Sequence, residues 1–211
     1  MKGFCTWLLA MTFAVTALAG EGGGVVATVN RDRPAQSMNS VLPPVINESY
    51  KYYEVSGCCE KDLQCDLKEK CFRTQDGKKY DSVTNWKMKW NYGRHQSSQM
   101  CTADSFVVTV DVVFNFPKWV RNGEAPQQLV DKWNNYVKNL MMHEQGHRDR
   151  TVEAADALTR AVSEMPPAAT CDQLDREINS LIQARGCMLL KEQDKYDAET
   201  KHGATQGVMF P

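Results

Sequence analysis

The fold follows from residues 126–167, which read PQQLVDKWNNYVKNLMMHEQGHRDRTVEAADALTRAVSEMPP. Pro126 suits a first helical turn, where no backbone donor is needed. Core-facing positions then recur at spacings of three, four or seven, the period of one helix face. These positions are Leu129, Trp133, Tyr136, Val137, Leu140, Glu144, His147, Ala154, Leu158 and Ala161. The pattern predicts one long helix that ends before Pro166-Pro167.

A second helix is predicted to begin near Thr170. Thr170 and Gln173 form a capping-box pattern, which marks a helix N-terminus. One apolar stripe follows, made of Leu174, Ile178, Leu181, Ile182 and Leu189. The short link makes the two helices antiparallel neighbours, so we expect a helical hairpin.

Two upstream segments alternate with period two, as in strands that bury one face. Residues 86–92 alternate aromatic or Met side chains with Lys and Asn, and residues 106–116 alternate Phe and Val with more polar residues. A weaker strand is predicted over residues 50–55. The expected fold class is α+β, with an antiparallel β-sheet packed against the long helical hairpin.

The N-terminus has the layout of a secretory signal peptide, with Lys2, an apolar run and an Ala17-Leu18-Ala19 cleavage pattern. We predict a signal peptide over residues 1–19, a flexible leader over residues 20–48 and one catalytic domain over residues 49–211. The apolar run is too short to span a membrane. The sequence predicts an exported protein, periplasmic or secreted, without a membrane span.

Seven cysteines remain after the predicted cleavage, and in an exported protein the first interpretation is disulfide bonding. An odd number leaves one thiol free or paired with another chain. The acidic and basic residues, 26 and 25 in number, are interspersed without a basic run. This distribution argues against a nucleic-acid partner, which needs a concentrated basic face.

The predicted first helix contains His143-Glu144-Gln145-Gly146-His147, an H-E-x-x-H pattern. Histidines four residues apart lie on one helix face, so both imidazoles can reach one metal ion. A zinc ion with an open position lowers the pKa of its bound water and polarises a carbonyl. Glu144 is then the expected general base, which passes the proton to the leaving amine.

The sequence leaves the third metal ligand open. His202 ranks first, because it follows the second helix and is flanked by Gly203 and Gly207, which allow close backbone turns. Helix geometry puts residues 189–194 opposite the two histidines, so Glu192 ranks second. Glu153 ranks third, and a ligand such as His95 would overturn this view of the C-terminal tail.

Tyr196 and Asp197 precede His202. The Tyr196 hydroxyl is a candidate donor to a developing oxyanion, and Asp197 is a candidate for orienting a ligand histidine. Packing of Tyr196 and solvation of Asp197 are the simpler alternatives.

Much of the chain resembles a bacterial family of secreted proteins, the domain of unknown function 922, described as predicted zinc-dependent proteases of the zincin type. The matching segments are Tyr52-Tyr53-Glu54-Val55-Ser56-Gly57, Tyr80-Asp81-Ser82-Val83-Thr84-Asn85-Trp86, His143-Glu144-Gln145-Gly146-His147-Arg148-Asp149, Tyr196-Asp197, Thr200, His202-Gly203, Thr205-Gln206-Gly207 and Phe210-Pro211. The resemblance implies a zincin-like active-site helix and places His202 among the characteristic residues. The cluster of Cys58, Cys59, Cys65 and Cys71 departs from the family pattern.

The function expected from these features is zinc-dependent hydrolysis of peptide or protein substrates, including cell-envelope material. An amidase that acts on cell-wall peptides is one alternative. A periplasmic binding or assembly module that holds a metal without turnover is another.

Overall fold

A computed structural model describes residues 42–73, 77–121 and 123–210. The predicted signal peptide and most of the predicted leader lie outside these residues. The described elements are the strands β1 (Val45–Val55), β2 (Phe72–Arg73), β3 (Lys79–Tyr80), β4 (Val83–Gln96) and β5 (Cys101–Trp119), the helices α1 (Glu60–Lys70), α2 (Gln127–Ser163) and α3 (Cys171–Thr200), and a 3-10 turn at Ala204–Gln206.

The predicted helical hairpin is confirmed. Pro126 is the N-cap of α2, and α3 begins after Thr170, whose hydroxyl accepts a hydrogen bond from the Gln173 backbone N–H at 3.2 Å. The predicted stripe of α3 faces the core, with Leu174 and Ile178 fully buried. Helical periodicity and capping were therefore sufficient to define this half of the fold.

The three-stranded sheet has the order β1-β5-β4. The predicted antiparallel pairing of β4 with β5 is confirmed, with Trp86 opposite Val112. The prediction of a purely antiparallel sheet is wrong, because β1 pairs with β5 in parallel, with Tyr50 opposite Phe114. Period-two alternation identifies a strand and its buried face but carries no information about the direction of its partner.

The core lies between the sheet and α2. Every second residue of β5 is buried on the face that meets the helix: Phe106, Val108, Val110, Val112, Phe114 and Phe116. Leu140 and Leu158 of α2 pack into the same cluster. The sheet thus holds α2 along its length, which fixes the orientation of the H-E-x-x-H segment.

A disulfide between Cys101 and Cys171 links the start of β5 to the start of α3. The other five cysteines of the described chain are thiols, so pairing is less extensive than predicted. Helix α1 was not predicted from the sequence, because only two of its side chains, Leu63 and Leu67, are buried. None of the described helices is long and apolar enough to cross a membrane.

Candidate metal centre

The two histidines of the H-E-x-x-H segment lie on the buried face of α2. His143 is 5% exposed, and the His147 side chain is 14% exposed. Their rings are 4.9 Å apart and nearly perpendicular. Two imidazoles therefore approach one small volume from successive turns of one helix.

Asp197 of α3 completes a group with these histidines. Its Oδ1 lies 3.3 Å from His143 Nε2 and 3.1 Å from His147 Nε2. Two ligands of a tetrahedral zinc ion with bonds of 2.0–2.2 Å are separated by ~3.3 Å. We call His143, His147 and Asp197 the histidine group; its ligating atoms all lie within 4.8 Å of one another.

Two glutamines hold the histidine rings by their other nitrogens. His147 Nδ1 is 2.6 Å from Gln193 Oε1, and His143 Nδ1 is 2.9 Å from Gln206 Oε1. The Gln193 amide is oriented because its Nε2 donates to the Thr151 hydroxyl and to the backbone carbonyl of His147. An amide oxygen only accepts, so each Nδ1–H donates to its glutamine, and in the neutral ring each Nε2 carries a lone pair that can bind a proton or a metal ion.

This arrangement turns three acceptor atoms toward one point. Such atoms repel one another unless a cation, either a proton or a metal ion, lies between them. Burial disfavours the charged form of His147, but hydrogen bonds to Asp197 and Gln193 outweigh it and raise the His147 pKa. Burial also opposes ionisation of Asp197, yet hydrogen bonds from both histidines hold its pKa well below the usual value. The three side chains of the histidine group are therefore arranged to bind a proton or a metal ion between them.

Tyr196 packs against the ring of His143, and its hydroxyl does not point to the place where the three ligating atoms meet. Its ring stacks on His143 at 5.1 Å, and its hydroxyl donates to the backbone carbonyl of His143 at 3.1 Å. On its other side, the Arg150 guanidinium lies 3.7 Å from the ring centroid. The hydroxyl is thus bonded to α2 in this structure, which matches the packing alternative.

Gly146 permits this close contact. A Cβ at position 146 would lie 2.1 Å from the Tyr196 hydroxyl oxygen, closer than any non-bonded contact. Within the H-E-x-x-H segment, the second variable position is therefore restricted by the packing of α3 on α2. The H-E-x-x-H pattern itself places no restriction on position 146.

Glu144 points toward β4 and is 3% exposed. One carboxylate oxygen accepts from the Ser82 hydroxyl at 2.7 Å, and the other accepts from the Thr84 hydroxyl at 2.6 Å. A carboxylate has about four acceptor positions, so acceptor capacity remains. The two hydroxyls fix its orientation beside the histidine group.

The C-terminal tail turns back onto α2, as the glycines at 203 and 207 suggested. Lys201 and His202 adopt left-handed conformations, with φ of 50° and 52°, and Gly203 continues with φ of 82°. This turn brings Gln206 to His143. His202 itself is outside the histidine group: its Nδ1 lies 3.6 Å from Asp197 Oδ2, its side chain is 45% exposed, and its ring meets Tyr80 edge-on.

The two glutamates ranked as alternative ligands lie elsewhere. Glu153 and Glu192 are both exposed and line a shallow surface cavity together with Arg185. Gln193, one residue beyond Glu192, faces His147 instead. His95 pairs with Thr102, next to Cys101 of the disulfide. The disulfide joins the first residue of α3, which lies about 39 Å from Asp197 along the helix axis.

Sequence reasoning missed the supporting glutamines. A usable signal existed, because Gln193 and Asp197 are four residues apart and therefore share one face of a helix. Gln206 had no such signal, since its position depends on the left-handed turn at residues 201–203.

The protein is thus of the α+β class, with an H-E-x-x-H helix packed against a mixed sheet and two histidines of that helix beside a half-buried carboxylate of α3. The chain belongs to a family described as bacterial protein of unknown function (DUF922), whose model matches residues 50–203. The match includes the histidine group and ends before Gln206. No curated protein and no solved structure matches the chain.

Proposed function

We propose that the protein is an exported zinc-dependent hydrolase that cleaves amide bonds in peptides or proteins. In this proposal His143, His147 and Asp197 hold the ion, and Glu144 is the general base. One observation carries it: two imidazole nitrogens and a carboxylate oxygen lie within 4.8 Å of one another. The Glu144 carboxylate, held separately by Ser82 and Thr84, is close enough to His147 to raise the pKa of its imidazole.

The donor set fits zinc. Two imidazoles and one carboxylate are a known ligand combination for catalytic zinc, with one position left for water or substrate. Hydrogen bonds from both Nδ1 atoms to glutamine oxygens fix the rings and the tautomer. Zinc bound there would polarise a carbonyl and lower the pKa of water.

The protein's own groups then have separate tasks. The Glu144 carboxylate, held by Ser82 and Thr84, accepts a proton from the attacking water and returns it to the leaving amine. Tyr196 positions α3 on α2 and does not act on the oxyanion. His202, which contacts the second oxygen of Asp197, orients that carboxylate. These roles exchange those expected for Asp197 and His202 from the sequence.

A second candidate function is a binding or assembly module that holds zinc without turnover. The burial of Glu144 favours it, because the hydrogen bonds to Ser82 and Thr84 join α2 to β4 and give this carboxylate a structural task. In that case Glu144 would be needed for stability and not for chemistry.

Glu144→Gln separates the two functions, because the amide has the size of the carboxylate and can still bond both hydroxyls, with its NH2 donating to one of them, but it cannot serve as a base. We expect the variant to keep zinc at the wild-type stoichiometry and to lose about 100-fold or more of the hydrolysis rate. Zinc is measured by elemental analysis and cleavage by mass spectrometry of a mixed peptide library.

The matched control is Thr84→Val, which removes one hydrogen bond to Glu144 but leaves the base in place. It should lower the thermal stability and retain most of the activity. A zinc-loaded wild-type protein that cleaves no library peptide, or a Glu144→Gln variant with full activity, would contradict the hydrolase proposal.

A further inference from the structure

A second set of metal-ligating side chains lies where β1 meets α1. Cys58 and Cys59 come from the loop that follows β1, and Asp62 from the first turn of α1. Their ligating atoms lie within 4.8 Å of one another. We call these three residues the cysteine group.

Both thiols are directed at the carboxylate. The Cys58 Sγ lies 3.2 Å from Asp62 Oδ2, and the Cys58 backbone N–H donates to the same oxygen at 3.3 Å. The Cys59 thiol also donates to Asp62. Cys59 is the N-cap residue of α1, yet its side chain caps no backbone N–H. Its sulfur is thus left to face Asp62.

The backbone around the cysteine group is closely fitted. A Cβ at Gly57 would lie 2.7 Å from the Asp62 Cβ and 2.8 Å from the Leu63 nitrogen, so only glycine lets the loop approach α1 this closely. The Trp119 indole N–H donates to the Gly57 carbonyl at 3.1 Å, and the Asp66 carboxylate accepts from the Ser56 N–H at 2.7 Å. The loop is therefore held on both sides of Gly57.

The group is also accessible. All three side chains are exposed, and a cavity of about 260 Å³ opens beside Cys58 and Asp62. Glu124 lines the same cavity. An ion can enter from solvent, and room exists for a water molecule or for the Glu124 carboxylate as a further ligand.

We propose that Cys58, Cys59 and Asp62 form a second metal site that binds a thiophilic divalent cation such as zinc. Two thiolates favour zinc and similar ions over magnesium or calcium, which prefer oxygen ligands. A bound ion would join the end of β1 to α1, a helix with only two buried side chains. The site is independent of the histidine group, which contains no sulfur.

Cobalt(II) titration of the full, reduced chain tests this proposal, because thiolate ligands give an intense near-ultraviolet charge-transfer band that histidine and carboxylate ligands do not. We expect the band in the wild-type protein and its loss in the Cys58→Ser/Cys59→Ser variant, with one fewer equivalent of bound cobalt. Asp62→Asn should keep the band at saturation but bind about ten-fold more weakly.

Cys187→Ser is the matched control, since Cys187 is an exposed thiol on α3 outside both groups. It should leave the band unchanged. The fold of each variant is checked by circular dichroism, and thiol content by alkylation and mass spectrometry. A reduced wild-type protein without the band, or a well-folded double-serine variant that retains it, would overturn the second site.

Discussion

The histidine group and the cysteine group each bring three ligating side chains together, but different parts of the protein hold those side chains in place. In the histidine group, side chains from α2, α3 and the C-terminal turn hold each ligand, as Gln193 does for His147. In the cysteine group, the backbone around Gly57 fixes the ligands, and all three are exposed. The ligating atoms of the first group are therefore oriented by neighbouring side chains, whereas those of the second depend on the conformation of one loop.

The largest effect is expected from the contact between Gly146 of α2 and Tyr196 of α3, next to the histidine group. Gly146→Ala places a methyl group onto the Tyr196 ring, so α3 must shift or Tyr196 must leave its position. We expect a loss of about 2–4 kcal/mol in the free energy of unfolding, measured by urea denaturation of metal-free protein.

Gly186→Ala is its control, because Gly186 also lies within a helix but a Cβ there would meet nothing within 4 Å. Alanine is the better helix former, so this variant should gain up to about 1 kcal/mol. Equal effects of the two substitutions would show that Tyr196 does not pack on Gly146 as described.

Removal of the charged ligand is the next test. Asp197→Asn leaves a weaker neutral oxygen beside the two histidines, and we expect zinc affinity to fall by more than about 100-fold in competition with a chromophoric chelator. Asp194→Asn changes an exposed carboxylate on the preceding turn of α3 and should have no effect. If the two variants bind zinc equally well, Asp197 is not a ligand.

A smaller effect is expected from Gln193→Leu, which removes the hydrogen bond that orients His147. Zinc affinity should fall by about 10–100-fold, while the thiolate charge-transfer band of the cysteine group stays unchanged. Gln183→Leu, an exposed position of α3, serves as the control. An unaltered affinity in Gln193→Leu would mean that the buried group is not oriented by its neighbours, which removes the contrast between the two groups.

The smallest expected effect is on pH dependence. Without metal, the raised His147 pKa and the lowered Asp197 pKa stabilise the fold between about pH 4 and 6.5, and the His147 contribution is lost as pH rises through its raised pKa. The advantage of wild type over Asp197→Asn in the free energy of unfolding should therefore shrink as the pH rises above neutrality.

We expect zinc to reverse this trend, because a zinc ion would bind the deprotonated imidazoles and its stabilisation of the fold would grow with pH. Thermal unfolding from acidic to mildly alkaline pH, with and without zinc, measures both slopes. Parallel slopes in the two conditions would argue that no ion occupies the histidine group.

Local patterns predicted the parts of the fold that local forces determine. The α2 boundaries follow from Pro126 and Pro166, and the buried face of β5 follows from its alternating Phe and Val residues. The parallel pairing of β1 with β5 could not be predicted, because the direction of a partner strand produces no periodic pattern in the sequence. The short helix α1 buries too few apolar residues to show an amphipathic pattern.

The site divides in the same way. His143, Glu144 and His147 are brought together by one helix, so their spacing alone predicted their proximity. Asp197 reaches them through the register of two packed helices, which the length of the hairpin link does not fix to within a residue. His202 lies near the group because Lys201 and His202 both adopt left-handed conformations. Gly203 and Gly207 indicated a close turn, but not left-handed backbone at the two non-glycine residues before them.

The most direct test of the account is the position of zinc in a crystal of the mature protein, located by anomalous scattering at the zinc edge. The account predicts a peak bonded to His143 Nε2, His147 Nε2 and Asp197 Oδ1, with His202 in contact only with the outer oxygen of Asp197. A peak coordinated by His202 in place of Asp197, or no peak at the histidine group in zinc-saturated crystals, would contradict it.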